Sequence, residues 1–136
     1  MAIRTLFLRT GYSPNIEDNG SMKDMKNKVH DAMYRQIQSR GYAAPVDVLM
    51  DLGVLDKSRY DDWRAGRIPY LEAVCNANLH KLSEMMKEVR SFASQNGWKE
   101  SISSYKHKGR TLRFSKTGNP KIEEAYATHY VKEVKA

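Results

Sequence analysis

The chain has 136 residues, of which 40% are hydrophobic, with one cysteine and a formal net charge of +7. That length and composition fit one domain with a moderate core, and a lone cysteine excludes an internal disulfide. No apolar run approaches a membrane span, and Leu6-Phe7-Leu8, closed by Arg9, is too short for a signal peptide, so a cytoplasmic protein is expected.

Residues 1–21 read as an N-terminal extension, with a candidate strand Ile3–Arg9 followed by the turn-rich GYSPNIEDNGS. Gly20-Ser21-Met22 reads as a fusion junction, so the extension is expected to be tag or linker ahead of a single domain at 22–136. A first helix is predicted from Ser21 to Arg40, where Met25, Val29, Met33 and Ile37 recur every four residues. Ser21 and Asp24 stand as its capping pair, and Gly41 closes it. A second helix runs from Pro45 to Gly53 and a third from about Lys57 to Ala65. Asp56 can accept from the free N–H groups that open the third helix. Gly66 ends that helix, and Pro69 suits the first turn of another. From residue 70 to residue 95 the positions Leu71, Cys75, Leu79, Leu82, Met86, Val89 and Ala93 predict one long helix, bent near Asn76-Ala77-Asn78. A helix of that length outgrows a small bundle and could support a homodimer. Cys75 is expected to be a small buried hydrophobe on it.

The charge is concentrated further on. Residues 99–121 carry seven basic side chains against Glu100 alone, which is +6 of the chain's +7. A local block of this kind is an electrostatic footprint for a polyanion. The same segment predicts a β-hairpin within about 101–116, pairing Ile102–His107 with Thr111–Ser115 around a Lys108-Gly109 turn. Leu112 and Phe114 would pack on the body and leave Arg113 exposed beside Arg110 and Lys108. A final helix at about 120–131 opens at Asn119-Pro120 and buries Ile122, Tyr126 and Tyr130. The expected class is mainly α: a helix-turn-helix-containing helical bundle with a C-terminal β-hairpin and a final short helix.

The sequence LMDLGVLDKSRYDDWRAGRIPYLE, Leu49 to Glu72, combines Leu-Gly-Val, then Trp63, then Gly-Arg-x-Pro-x-Leu-Glu. It resembles the helix-turn-helix of the Cro and phage-repressor type over roughly residues 26–82, with the helix-turn-helix itself at about 45–66. In that family the second helix enters the DNA major groove. The resemblance implies double-stranded DNA as partner, with Lys57, Ser58, Arg59, Asp61, Asp62 and Arg64 facing the groove and Arg67 on phosphate just beyond. Two adjacent aspartates are unusual there, since carboxylates repel phosphates. Lys106, Lys108, Arg110 and Arg113 would add sequence-independent phosphate contacts, as a wing does beside a reading helix. Residues 109–131, together with the YxxWRxGRxPYLE-like stretch at Tyr60–Glu72, also resemble segments of short uncharacterised bacterial proteins. That likeness implies that the two blocks belong to one unit, and it implies no activity.

Enzymatic function is not expected. His30, His80, His107 and His129 stand at no metal-ligand spacing, one cysteine completes no zinc site, and no glycine loop cradles a phosphate. No cofactor is implied. Glu123, Glu124 and His129 near Lys116 are the one catalytic grouping that can be assembled. On a helix, Glu124 and His129 diverge, and His129 reads as packed or capping. The expected function is DNA binding, in a transcriptional regulator; the alternative is a protein-interaction module using the helix at 70–95.

Overall fold

The computed structural model describes residues 17–133, with side chains from Lys23 onward. The expected strand Ile3–Arg9 lies outside these residues. Helix α1 (Glu17–Arg40) starts four residues before the expected Ser21, which places Ser21 inside the helix rather than at its cap. Its apolar row Met25, Val29, Met33 and Ile37 is buried, and Gly41 closes it at φ +83°, with its N–H on the Ile37 carbonyl at 2.8 Å.

Strand β1 (Tyr42–Ala43) leads into α2 (Pro45–Asp51), and a turn through Gly53 leads into α3 (Lys57–Arg64). Gly53 adopts φ +77°, a region that is cheap only without a β-carbon. Asp56 stands extended at the α3 N-cap position, but its side chain makes no capping bond. After Gly66, Leu71–Val74 forms a single 3₁₀ turn, and α4 (Leu79–Gln95) begins only at Asn78, whose side chain accepts the Lys81 N–H at 2.8 Å. The continuous helix expected over 70–95 is therefore two elements. Asn76 donates to the Val54 carbonyl at 2.7 Å, so the backbone there is spent on a tertiary bond.

The class expectation needs correction as well. The fold is mixed α/β, with a three-stranded antiparallel sheet in the order β1-β5-β2 and a separate two-stranded hairpin β3-β4. Strand β2 (Lys99–Ile102) pairs with β5 (Thr128–Val131), not with the residues that follow it. The hairpin keeps the expected Lys108-Gly109 turn, at φ +51° and φ +79°, but β3 (Lys106–His107) and β4 (Arg110–Thr111) are two residues each. Helix α5 (Pro120–Ala127) stops where Thr128-His129-Tyr130-Val131 turns extended, so the chain's last described element is a strand. The spacing of Ile122, Tyr126 and Tyr130 suggested one helix, yet a four-residue interval is also even. Thr128 and Tyr130 alternate with half-buried neighbours, as a strand requires.

Helices α1 and α4 pack together and feed the two outer strands of this sheet. His30 Nε2 meets Glu88 Oε2 at 2.5 Å, and the His30 ring stacks on Phe92 with centroids 4.1 Å apart. Leu82, Met85, Val89 and Ala93 of α4 are buried, while Leu79 at its start is 47% exposed.

A second core centres on Trp63, which is fully buried against Phe114 (5.1 Å), Tyr105 (5.6 Å) and Tyr60 (6.1 Å). Residues 112–117, the first four of them expected as strand, form an irregular strap whose polar backbone is satisfied from elsewhere. Trp63 Nε1 donates to the Arg113 carbonyl at 2.8 Å, which also receives the Leu71 N–H. Glu72 N–H donates to the Phe114 carbonyl, while its carboxylate takes the Lys116 N–H at 2.8 Å and the Tyr126 hydroxyl at 2.7 Å. Glu123 accepts from Phe114 N–H (2.9 Å), Ser115 N–H (2.7 Å) and the Ser115 hydroxyl. Glu123→Ala strips the acceptor from three donors at once. We expect a loss of about 2–3 kcal/mol in urea unfolding; a change below about 0.5 kcal/mol would show that water replaces the carboxylate.

Candidate nucleic-acid interface

The outer face of α3 carries Lys57, Ser58, Arg59 and Asp61, all exposed. The intervening positions turn inward because Trp63 and Tyr60 anchor the helix to the second core. Lys57 Nζ bonds Asp61 Oδ1 at 2.6 Å, which raises the lysine pKa, and Arg67 bonds Asp62 Oδ1 at 2.9 Å. The two aspartates therefore have cationic partners within their own surface. Among the described residues, Ser58 and Arg59 make no side-chain hydrogen bond or ion pair, and Arg59 lies in the open.

The hairpin is fixed beside the C-terminal end of this helix. A β-carbon on Gly66 would stand 2.9 Å from the His107 ring, and the Arg64 guanidinium lies over the Tyr105 ring at 5.2 Å. Lys106, Lys108 and Arg110 are exposed on the hairpin and have no ion pair among the described residues. Thus the fold brings the end of α3 and the base of the hairpin together.

Arg113 is a different case. It is exposed, but its Nε donates to the Ser115 carbonyl at 2.8 Å, its Nη2 donates to the Lys116 carbonyl, and its guanidinium covers Tyr70 at 5.4 Å. Gly118 closes against it, with a β-carbon position 3.5 Å from Nε. The side chain pins the strap, and only part of its donor set remains for a ligand.

Sequence reasoning missed Tyr105, Glu72 and Glu123 as organising residues. Glu72 and Glu123 stood within the two quoted blocks, but their partners lie 44 to 54 and 8 to 9 residues away. No short-range signal marks the longer pairing. Glu123, one of the grouping weighed for catalysis, has its carboxylate filled by strap donors, and His129 Nε2 bonds the Tyr105 hydroxyl at 2.9 Å. His129 also stacks on Tyr42 at 5.4 Å. Burial pushes the Cys75 thiol up to about 12, so little thiolate forms near neutral pH. No cluster of three or more His, Cys, Asp or Glu side chains among the described residues could hold a metal ion. No described helix is long and apolar enough to cross a membrane.

In comparison with known protein families, curated proteins and solved structures, the chain matches none of them.

Two outcomes follow from this geometry. Gly66→Ala combines a positive φ with a β-carbon in the His107 ring, so we expect about 1–2 kcal/mol of destabilisation, with amide shifts concentrated at residues 105–111. Gly53→Ala, with open space around it, should cost about 1 kcal/mol and leave those amides unmoved. Burial lowers the His129 pKa below its ordinary 6.5. Between the lowered value and 6.5, the unfolded chain binds a proton that the folded chain resists. Stability is thus held above pH 6.5 and lost as pH falls through it. The melting temperature should drop between about pH 7.5 and pH 5.5, and by less in His129→Gln; equal drops would remove His129 from the acid response.

Proposed function

We propose that this chain binds double-stranded DNA through the outer face of α3 and the adjoining basic hairpin, acting as a transcriptional regulator in the cytoplasm. The observation that supports this most is the contact between the end of α3 and the base of the basic hairpin. Arg59 on α3 and Lys106, Lys108 and Arg110 on the hairpin are exposed and free of ion pairs among the described residues. The helix end and the hairpin base touch at Gly66–His107 and Arg64–Tyr105. A helix with one exposed face beside a basic hairpin suits base readout flanked by phosphate contacts. Pairing of Asp61 and Asp62 with Lys57 and Arg67 reduces the repulsion that those carboxylates would offer to phosphate. Since Leu82, Met85, Val89 and Ala93 of α4 are buried within the chain, dimerisation is not proposed through that face.

A protein-interaction role is favoured by one separate observation. Ile102, on the edge strand β2, is 59% exposed although it pairs with the buried Thr128.

Fluorescence anisotropy with random duplex DNA, titrated from about 50 to 300 mM salt, tests the proposal. Binding should weaken steeply with salt, and replacing Lys106, Lys108 and Arg110 together by Ala should lower the log–log slope by about 2–3. An unchanged slope would take the hairpin out of the interface. No binding at about 50 mM salt would reject the DNA reading in favour of a protein partner at β2.

A further inference from the structure

Five arginines lie on or beside the proposed interface, and four are either committed or unrestrained. Arg110 is exposed on the hairpin, with no ion pair among the described residues. Arg67 is paired with Asp62, and Arg113 spends donors on Ser115 and Lys116. Arg59 is exposed, with no described contact to restrain it. Arg64 alone is both held and uncommitted. Its guanidinium lies over Tyr105 at 5.2 Å and makes no hydrogen bond among the described residues.

The orientation of that guanidinium is informative. Nη1 is buried and has no hydrogen-bond partner among the described residues. Burying a charged donor unpaired is costly and brings the fold no bond in return. Nε and Nη2 make no hydrogen bond among the described residues, and the side chain as a whole is half-buried rather than enclosed. An arginine edge of this kind matches two adjacent acceptors, and the fixed stack leaves less rotamer freedom to lose on binding.

Tyr105 sets this arrangement. It is 8% exposed, packs on Trp63 and, edge-on, on Phe114 at 5.3 Å, and bonds His129 Nε2 of β5 through its hydroxyl at 2.9 Å. Its carbonyl accepts the Leu112 N–H at 2.8 Å at the base of the hairpin. The ring on which Arg64 rests is thus braced from α3, the strap and the sheet.

We infer that Tyr105, which lies outside the helix-turn-helix, is a positioning residue that presents the Nε–Nη2 edge of Arg64 to the N7/O6 edge of guanine in duplex DNA. The inference rests on the DNA-binding reading and assigns sequence preference to Arg64 rather than to Arg59. Guanine is the base whose major-groove edge offers two adjacent acceptors.

The test is selection from a randomised 20-base-pair duplex library with the full chain. The wild type should enrich a motif containing a guanine preferred about tenfold or more over other bases at one position. Tyr105→Phe, which keeps the ring, should enrich the same motif. Arg64→Lys and Tyr105→Leu should keep salt-dependent binding to the unselected library and lose that one preference. Uniform weakening on every sequence in Arg64→Lys would make Arg64 a phosphate contact and overturn the inference. An unaltered motif in Tyr105→Leu would overturn it too. No binding of the library by the wild type would overturn both the inference and the DNA reading, which distinguishes the two failures. Should Tyr105→Leu fail to fold, the arginine Nε–Hε resonances of the wild type decide. Adding the enriched duplex should shift Arg64 and leave Arg113 in place, and an unmoved Arg64 overturns the inference.

Discussion

The strap at residues 112–117 is the constraint on which this structure depends. It crosses the second core without pairing as a strand, so its N–H and C=O groups need partners from elsewhere. Trp63, the Leu71 and Glu72 backbone, and the carboxylates of Glu72 and Glu123 supply them. A carboxylate serves well here because each oxygen accepts more than one bond and charge-assisted bonds are the strong ones. Without these acids, the N–H groups of Phe114, Ser115 and Lys116 would lose their charge-assisted acceptors. The same bonds bind the Tyr60–Glu72 block to the 109–131 block, which is how two distant stretches of sequence form one unit.

What the strap holds in place is the relation between α3 and the hairpin. Trp63 reaches across the core to the Arg113 carbonyl, and Phe114 and Tyr105 pack on the same indole. Tyr105 opens the hairpin, and Arg64 closes α3. Helix α3 and the basic hairpin are therefore fixed to a common aromatic cluster and not merely neighbours on a surface. In physical terms, the relation of α3 to the hairpin is set at folding, so a ligand that met both would find them already ordered.

The separation of roles among the basic residues follows from the same frame. A net +6 over residues 99–121 describes a field, and a field does not distinguish its members. Arg113 turns back to pin the strap, whereas Lys106, Lys108 and Arg110 remain outside. On α3, Lys57 and Arg67 quiet the two aspartates and leave Arg59 and Arg64 as the cations without an acid partner among the described residues.

Local chemistry was legible from the chain alone: the helix ends at Gly41, Gly53 and Gly66, the paired helices at Pro45 and Lys57, the Lys108-Gly109 turn, and the buried row on α1. Each depends on a residue's own backbone preference or on neighbours three to four positions away. The three-stranded sheet was not legible, because β1 is two residues long and β2 finds its partner about thirty residues downstream. The four-residue spacing of Tyr126 and Tyr130 suits a helix and a strand alike, and pairing with β1 and β2 makes the second of them a strand residue. The break at Asn76 was marked as a bend, but a hydrogen bond to Val54, twenty-two positions back, made it an end. Roles such as those of Glu72, Glu123 and Tyr105 depend on donors and rings that the fold brings near. A sequence states which groups can bond, and the tertiary structure decides which of them meet.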